Sequence, residues 1–264
     1  MTTNHHSKPS SICIFRLSAI GDATHVVPVV KTLQNRFPNC EITWIIGKVE
    51  HKLLQGLPGV RFVVFDKSAG WQGVKALRTV LKNQTFDVLL QMQLSFRANL
   101  FYFLIKAKRR VCFDKIRGKE WHGLAINELI PYRKDCHVLD GFMQFAECLG
   151  CKQPIMDWHI PVTDADEAFA KNMLHSSKKN VVISPCSSHD LRNWSTAKYS
   201  ELADCLVDVF DANVLLTAGP SSKEQDFVAG IEKSCQQKVK NIAGQDTLKQ
   251  LLCMLQQADL VISP

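Results

Sequence analysis

Short apolar runs alternate with stretches of helical period over the first half of the chain. Ile12 to Phe15, Ile42 to Ile46, Arg61 to Phe65, Phe86 to Leu90 and Arg110 to Phe113 read as buried strands. Between the first two, Val26, Val29, Val30, Leu33 and Phe37 recur at the spacing of one helical face. Strand and helix in alternation predict βαβ units and a parallel sheet. Leu57-Pro58-Gly59-Val60 is a turn between two such units. The rhythm changes after Gly150, where Trp158 to Pro161 reads as extended and Asp164 to Leu174 as a short charged helix. A linker is expected over 161–178, between an N-terminal domain of residues 12–160 and a C-terminal domain of residues 179–264. The second domain restarts with Val181 to Pro185, the helix Tyr199 to Phe210 and the run from Val214 to Gly219. A helix capped by Asp246 or Thr247 then runs to Gln257, and Leu260 to Ser263 begins one more strand. A domain whose last element is an unfinished strand reads as truncated, and residues 1–11 read as a disordered tail.

Composition narrows the class. With 46% hydrophobic and 22% charged residues, and no apolar run of the roughly 20 residues that span a bilayer, the expectation is a soluble globular protein. Residues 1–11 lack the apolar core of a signal peptide. The ten cysteines are scattered through apolar segments such as Ile12-Cys13-Ile14 and Leu252-Cys253-Met254, as small core residues are. Cys148 and Cys151 have metal or redox spacing, but no second pair completes a zinc site. Reduced thiols in the cytoplasm are the simplest reading.

Charge changes the picture more. Residues 1–160 hold 22 Lys and Arg against 12 Asp and Glu, a net of +10, whereas residues 161–264 hold 10 against 13, a net of −3. Lys106, Lys108, Arg109, Arg110, Lys115, Arg117 and Lys119 crowd one segment. Such a run is either solvated surface or the footprint of an anionic partner. Nucleic acid is not expected, because no helix-turn-helix, finger or aromatic ribonucleoprotein pattern accompanies the charge.

The candidate chemistry lies at the first strand's end. Phe15-Arg-Leu-Ser-Ala-Ile-Gly21-Asp22 breaks a buried strand at glycine and presents a carboxylate at a helix start. In open α/β sheets, ligands gather at the carboxyl ends of strands. The alternative is that Asp22 only caps the helix.

Taken together, several segments resemble the heptosyltransferase family, the ADP-heptose:lipopolysaccharide glycosyltransferases. Arg16-Leu-Ser-Ala-Ile-Gly-Asp22 is similar to the family's (R/K)-x-S-x-x-G-D. Phe86-Asp87 with Gln91 to Arg97 resembles D-x-x-x-x-x-Q/G-L-x-R/K-S. Ser184 to Ser188 followed by Arg192-Asn-Trp194, and the Gly219-Pro-Ser-Ser-Lys-Glu224 turn, resemble further family pieces in the same order.

The resemblance implies an α/β protein with the GT-B fold, two facing Rossmann-like domains of which the second is here incomplete. It implies an inverting transfer of heptose from ADP-heptose to the inner core of lipopolysaccharide, with Asp22 as general base. A positioned carboxylate suffices when the leaving group is already a diphosphate. By resemblance, Gly21, Ser187, Ser188, Arg192, Gly219 and Glu224 bind the donor, with Glu224 on the ribose. Ser18, Arg97, Lys119 and His137 bind the anionic acceptor. No metal and no cofactor beyond the donor substrate is implied, and the protein would sit in the cytoplasm, in peripheral contact with the inner membrane surface. The family's D-T-G-x-x-H would follow the strand that ends at Pro264, which is the sign of truncation. The alternative is a truncated or degenerate binding module for nucleotide sugar or acceptor, without turnover. A nucleotide-dependent oxidoreductase is disfavoured, because G-x-G-x-x-G does not follow Ile12 to Phe15.

Overall fold

The computed structural model describes residues 8–93, 104–117 and 127–264. The chain divides into two compact units between Pro161 and Val162. Five strands of the first unit alternate with helices in chain order: β1 (Ser11–Phe15), α1 (Ile20–Arg36), β2 (Glu41–Gly47), α2 (Lys48–Leu54), β3 (Val60–Phe65), α3 (Gly70–Leu81), β4 (Thr85–Gln91) and β5 (Lys106–Cys112). The two-residue β6 (Glu128–Leu129) and α4 (Val138–Cys148) complete it. All pairings are parallel, in the order β3-β2-β1-β4-β5-β6.

β1 lies at the centre of that sheet and is buried from Ile12 to Phe15, which explains its unbroken apolar run. Cys13, Phe15, Ile45, Val63, Leu77, Leu81 and Leu89 form one core layer. α1 and α4 pack against each other. Thr32 on α1, itself buried, accepts the Ile155 N–H at 2.9 Å. That bond satisfies a backbone donor where the chain leaves α4.

Three expectations are corrected. The strand expected at Arg110 begins at Lys106, because its cations are paired along its length: Lys108 with Asp87 and Arg109 with Glu128, both at 2.7 Å. The expected tail ends earlier than residue 11. Asp87 accepts the N–H and hydroxyl of Ser10, at 2.8 and 2.7 Å, and β1 starts at Ser11. The helix expected from Asp164 is present, but residues 162–178 belong to the second unit rather than to a linker. They include α5 (Asp164–Met173), whose Ala170 is buried with Val182, Leu215, Cys253 and Met254 in the second unit.

The second unit repeats the alternation on a smaller scale: β7 (Asn180–Ile183), α6 (Thr196–Phe210), β8 (Asn213–Leu216), α7 (Ser222–Ser234), β9 (Lys240–Asn241), α8 (Leu248–Gln257) and β10 (Leu260–Ile262). Its strands are parallel in the order β10-β7-β8-β9. Thr247, rather than Asp246, caps α8: its hydroxyl accepts the Gln250 N–H at 3.2 Å and Gln250 accepts the Thr247 N–H at 2.9 Å. The ten cysteines are free. Burial pushes the thiols of Cys40, Cys148 and Cys235 up to about 11, which keeps them protonated and inert. Among the described residues no helix is long and apolar enough to cross a membrane.

Hydrogen bonds from Lys108 and Ser10 hold the Asp87 carboxyl well below the usual carboxylate range. A depressed folded value stabilises the fold above the unfolded pKa of about 3.9 and is lost as pH falls below it. Asp87→Asn is therefore expected to cost about 1–3 kcal/mol at neutral pH. In urea melts the difference from wild type should be flat above about pH 5 and shrink below about pH 4. A difference that grows on acidification would contradict the role of Asp87.

Candidate functional site

In the first sheet the strand order reverses between β1 and β4, and ligands of open α/β sheets bind in the crevice at such a point. The two strand ends are stitched together there. The Met92 N–H donates to Phe15 O at 3.1 Å. Gln93 Oε1 accepts the N–H groups of Leu17 at 2.9 Å and Ser18 at 3.2 Å. Arg16 turns its guanidinium into the crevice, donating to Met92 O and to Asp22 Oδ2. Its ring-like plane lies over Phe142 of α4, 5.1 Å from the ring centre. Trp44 anchors the backbone beneath by donating to Arg16 O at 3.1 Å.

Asp22 sits in the first turn of α1. Its Oδ2 also accepts the Ala19 N–H, at 3.4 Å, so the capping reading is partly right. Both contacts fall on one oxygen, and no bond to Oδ1 is made among the described residues. The side chain is 34% exposed, against 8% for Arg16. Burial pushes the Arg16 guanidinium below its ordinary value, and the Asp22 carboxylate acts in the opposite sense. One carboxylate oxygen is thus fixed by a buried cation while the other has no hydrogen bond among the described residues.

A cleft of about 470 Å³ opens over this pair, with Gln93, Arg117, His137 and Phe142 also in its wall. His137 caps α4, its Nδ1 accepting the Leu139 N–H at 3.2 Å. An imidazole that accepts at Nδ1 carries its proton on Nε2. The His25 ring, one turn beyond Asp22, meets that of His137 edge-on at 5.7 Å between centres. Arg117 lies over Phe113 at 5.0 Å and donates to Asp114 and to Gln144 Oε1, the latter at 3.0 Å. Burial alone would raise the Asp114 carboxyl, but hydrogen bonds from the Arg117 backbone and side chain hold it below its ordinary value. A Cβ at Gly141 would stand 2.9 Å from Arg117 Nη1, so the glycine in α4 makes room for the guanidinium.

The second sheet reverses between β7 and β10. The chain leaving β7 lines a separate cleft of about 830 Å³ with Ser187, Ser188, Asn193 and Trp194, joined by Ser221 and Glu224 at the start of α7. The Ser187 N–H donates to Asn193 Oδ1 at 2.9 Å, which shapes the turn. Gly219 has a steric reason: a Cβ there would fall 2.4 Å from Glu224 Oε2.

Of the residues predicted from sequence, Asp22 and His137 share the first cleft, and Ser187, Ser188 and Glu224 share the second. Gly219 lies against Glu224. Arg192 belongs to the exposed turn Asp190–Arg192 and is not in the cleft wall. Ser18 and Gly21 stand outside the first cleft's wall; the Ser18 hydroxyl accepts from Lys67 Nζ at 2.5 Å, and a Cβ at Gly21 would meet nothing within 4 Å. Arg97 and Lys119 lie outside the described residues. Arg117 belongs to the basic segment singled out in sequence, whereas Gln93 and Phe142 are not among the site residues expected from it. Gln93 could have been found by its place just past β4, whereas Phe142 reads as one more apolar position of α4. Among the described residues no cluster of three or more His, Cys, Asp or Glu side chains is placed to hold a metal ion.

Residues 74–264 match the model of glycosyltransferase family 9 (heptosyltransferase). The chain belongs to this family. It is 40% identical to the lipopolysaccharide core heptosyltransferase OpsX of Haemophilus influenzae, over 97% of this chain and 74% of that protein. Solved structures share the fold at low identity. A glycosyl transferase family 9 protein from Veillonella parvula superposes with a TM-score of 0.80 at 16% identity, covering 97% of this chain and 77% of that one. Escherichia coli heptosyltransferase WaaC, solved with ADP-2-deoxy-2-fluoro heptose, gives 0.76 at 18% identity, covering 96% and 82%. The expected GT-B class of two parallel-sheet, Rossmann-like units is therefore correct for this family 9 chain.

Arg16→Leu would leave Met92 O and Asp22 Oδ2 without their shared donor, at an expected cost of about 1–3 kcal/mol in urea unfolding. Arg16→Lys should recover part of that loss. A leucine variant within about 0.5 kcal/mol of wild type would show that the guanidinium does not hold the crevice together.

Proposed function

We propose that the chain is an inverting glycosyltransferase that moves heptose from ADP-heptose to the inner core of lipopolysaccharide. The observation that carries this is the Asp22 carboxylate at the switch point of the first sheet, one oxygen fixed by Arg16 and the other unengaged among the described residues. Its similarity to OpsX, named as a lipopolysaccharide core heptosyltransferase, supplies the substrate class.

In this reading an acceptor hydroxyl donates to Asp22 Oδ1. Its oxygen attacks the anomeric carbon of the donor while the bond from that carbon to the diphosphate breaks. The electron pair leaves with ADP, the proton passes to Asp22, and one displacement inverts the anomeric centre. Arg16 is a positioning residue. It holds Oδ2, leaving Oδ1 to take the acceptor's proton. The first cleft takes the acceptor, whose anionic groups meet Arg117, with His137 offering Nε2–H as a donor. The second cleft takes the nucleotide: Ser187 and Ser188 stand by the phosphates and Glu224 accepts from the ribose, as carboxylates do in Rossmann-like sites. Arg192, on its exposed turn, reaches the diphosphate when the donor is bound and offsets the leaving group's charge. Gly21, with open space at its Cα, lets the donor sugar approach the backbone, and Ser18, Arg97 and Lys119 complete the acceptor side. No metal is required, because arginine and hydroxyl groups meet the diphosphate. The reaction takes place at the cytoplasmic face of the inner membrane, with the protein held peripherally.

Asp22→Asn tests this reading. The amide keeps shape and cannot take the proton, so turnover should fall by at least about 100-fold, while ADP affinity, measured by calorimetry, stays near wild type. Retained turnover would remove Asp22 as the base. Arg192→Ala should instead weaken ADP binding by about tenfold, the loss of one charge-assisted contact. Unchanged affinity would leave that arginine on the surface.

A further inference from the structure

The stretch from Lys67 to Phe86 holds four cations and no acid. α3 fills most of it and buries Gly73, Leu77 and Leu81 in the first unit. Trp71, Lys75, Arg78 and Lys82 recur at intervals of four, three and four residues, so they fall on one stripe of the helix. All four are exposed. Trp71, at 73%, is the most exposed aromatic side chain among the described residues. Among those residues, Lys75, Arg78 and Lys82 have no ion-pair partner, whereas Lys108, Arg109, Arg117 and Arg133 elsewhere in the unit each face a carboxylate. Three cations of the segment that looks most basic in sequence are thus paired, whereas the three of the α3 stripe are not, among the described residues.

We propose that this stripe is a docking surface for an anionic phospholipid bilayer. An indole with a polar N–H at one end suits the boundary between headgroups and acyl chains, and cations along the same helix face suit the headgroup phosphates. A span of 11 residues at the helical rise is about 17 Å, long enough to meet several headgroups in one plane. The stripe's place in the fold agrees. Lys67, in the turn that leads into α3, donates to the Ser18 hydroxyl in the loop that leads into α1, whose first turn carries Asp22. A bilayer against α3 therefore lies beside the crevice in which, on the reading proposed above, an acceptor anchored in that bilayer is glycosylated.

The test is sedimentation of the full chain with phosphatidylcholine vesicles prepared with and without phosphatidylglycerol. Wild type should bind only the anionic vesicles and be released by high salt. Each cation near such a surface is worth about fivefold in partitioning. Lys75→Glu, Arg78→Glu and Lys82→Glu combined should therefore lower binding by at least about 100-fold, with an unchanged thermal melt. Trp71→Ala should weaken binding further. Equal binding to both vesicle types, a triple variant that sediments like wild type, or preference for a single-stranded oligonucleotide over anionic vesicles would overturn the surface. Asp22→Asn should sediment like wild type, and the triple variant should still glycosylate a delipidated, water-soluble acceptor. Loss of the bilayer surface and loss of the base assignment are therefore separate outcomes.

Discussion

One guanidinium joins three parts of the first unit. Arg16 follows β1, donates to the carbonyl that follows β4, and holds the carboxylate in the first turn of α1. Taking a cation this far out of water is costly; here a carbonyl and an anion each take one terminal nitrogen and an aromatic face lies alongside, while Nε is buried without a hydrogen-bond partner among the described residues. The arrangement fixes which Asp22 oxygen is engaged and which is not. The chemistry assigned to the cleft depends on that asymmetry.

Charge is sorted in the same unit. Within the basic segment that stands out in sequence, three cations are paired with neighbours: Lys108 with Asp87, Arg109 with Glu128 and Arg117 with Asp114. These pairs tie β5 to β4 and β6 and shape the cleft wall. The quieter α3, with its acid-free stripe, keeps its charge open to solvent. A run of cations in sequence therefore says little about where a field emerges until the partners are known.

Much of the fold was legible because parallel strands buried on both faces write themselves as apolar runs, as Ile12 to Phe15 and Val181 to Ile183 do. β5 was misjudged at its start because its cations are satisfied by residues 19 to 21 positions away, which no local pattern reveals. α5 looked like part of a linker because its buried surface is small; Ala170 is its one fully buried residue, and its partners come from across the second unit. Asp22 stood out by its position after a strand and a glycine. Its pairing to Arg16 and the stacking of Arg16 on Phe142, 126 positions along, exist only once α4 has packed on α1.

A structure of the protein with an unreactive donor analogue and the acceptor sugar bound would test the base assignment most directly. The acceptor hydroxyl that becomes glycosylated should lie within about 3 Å of Asp22 Oδ1, with Oδ2 still held by Arg16. A hydroxyl bonded to another side chain, with Asp22 turned wholly toward Arg16, would contradict it.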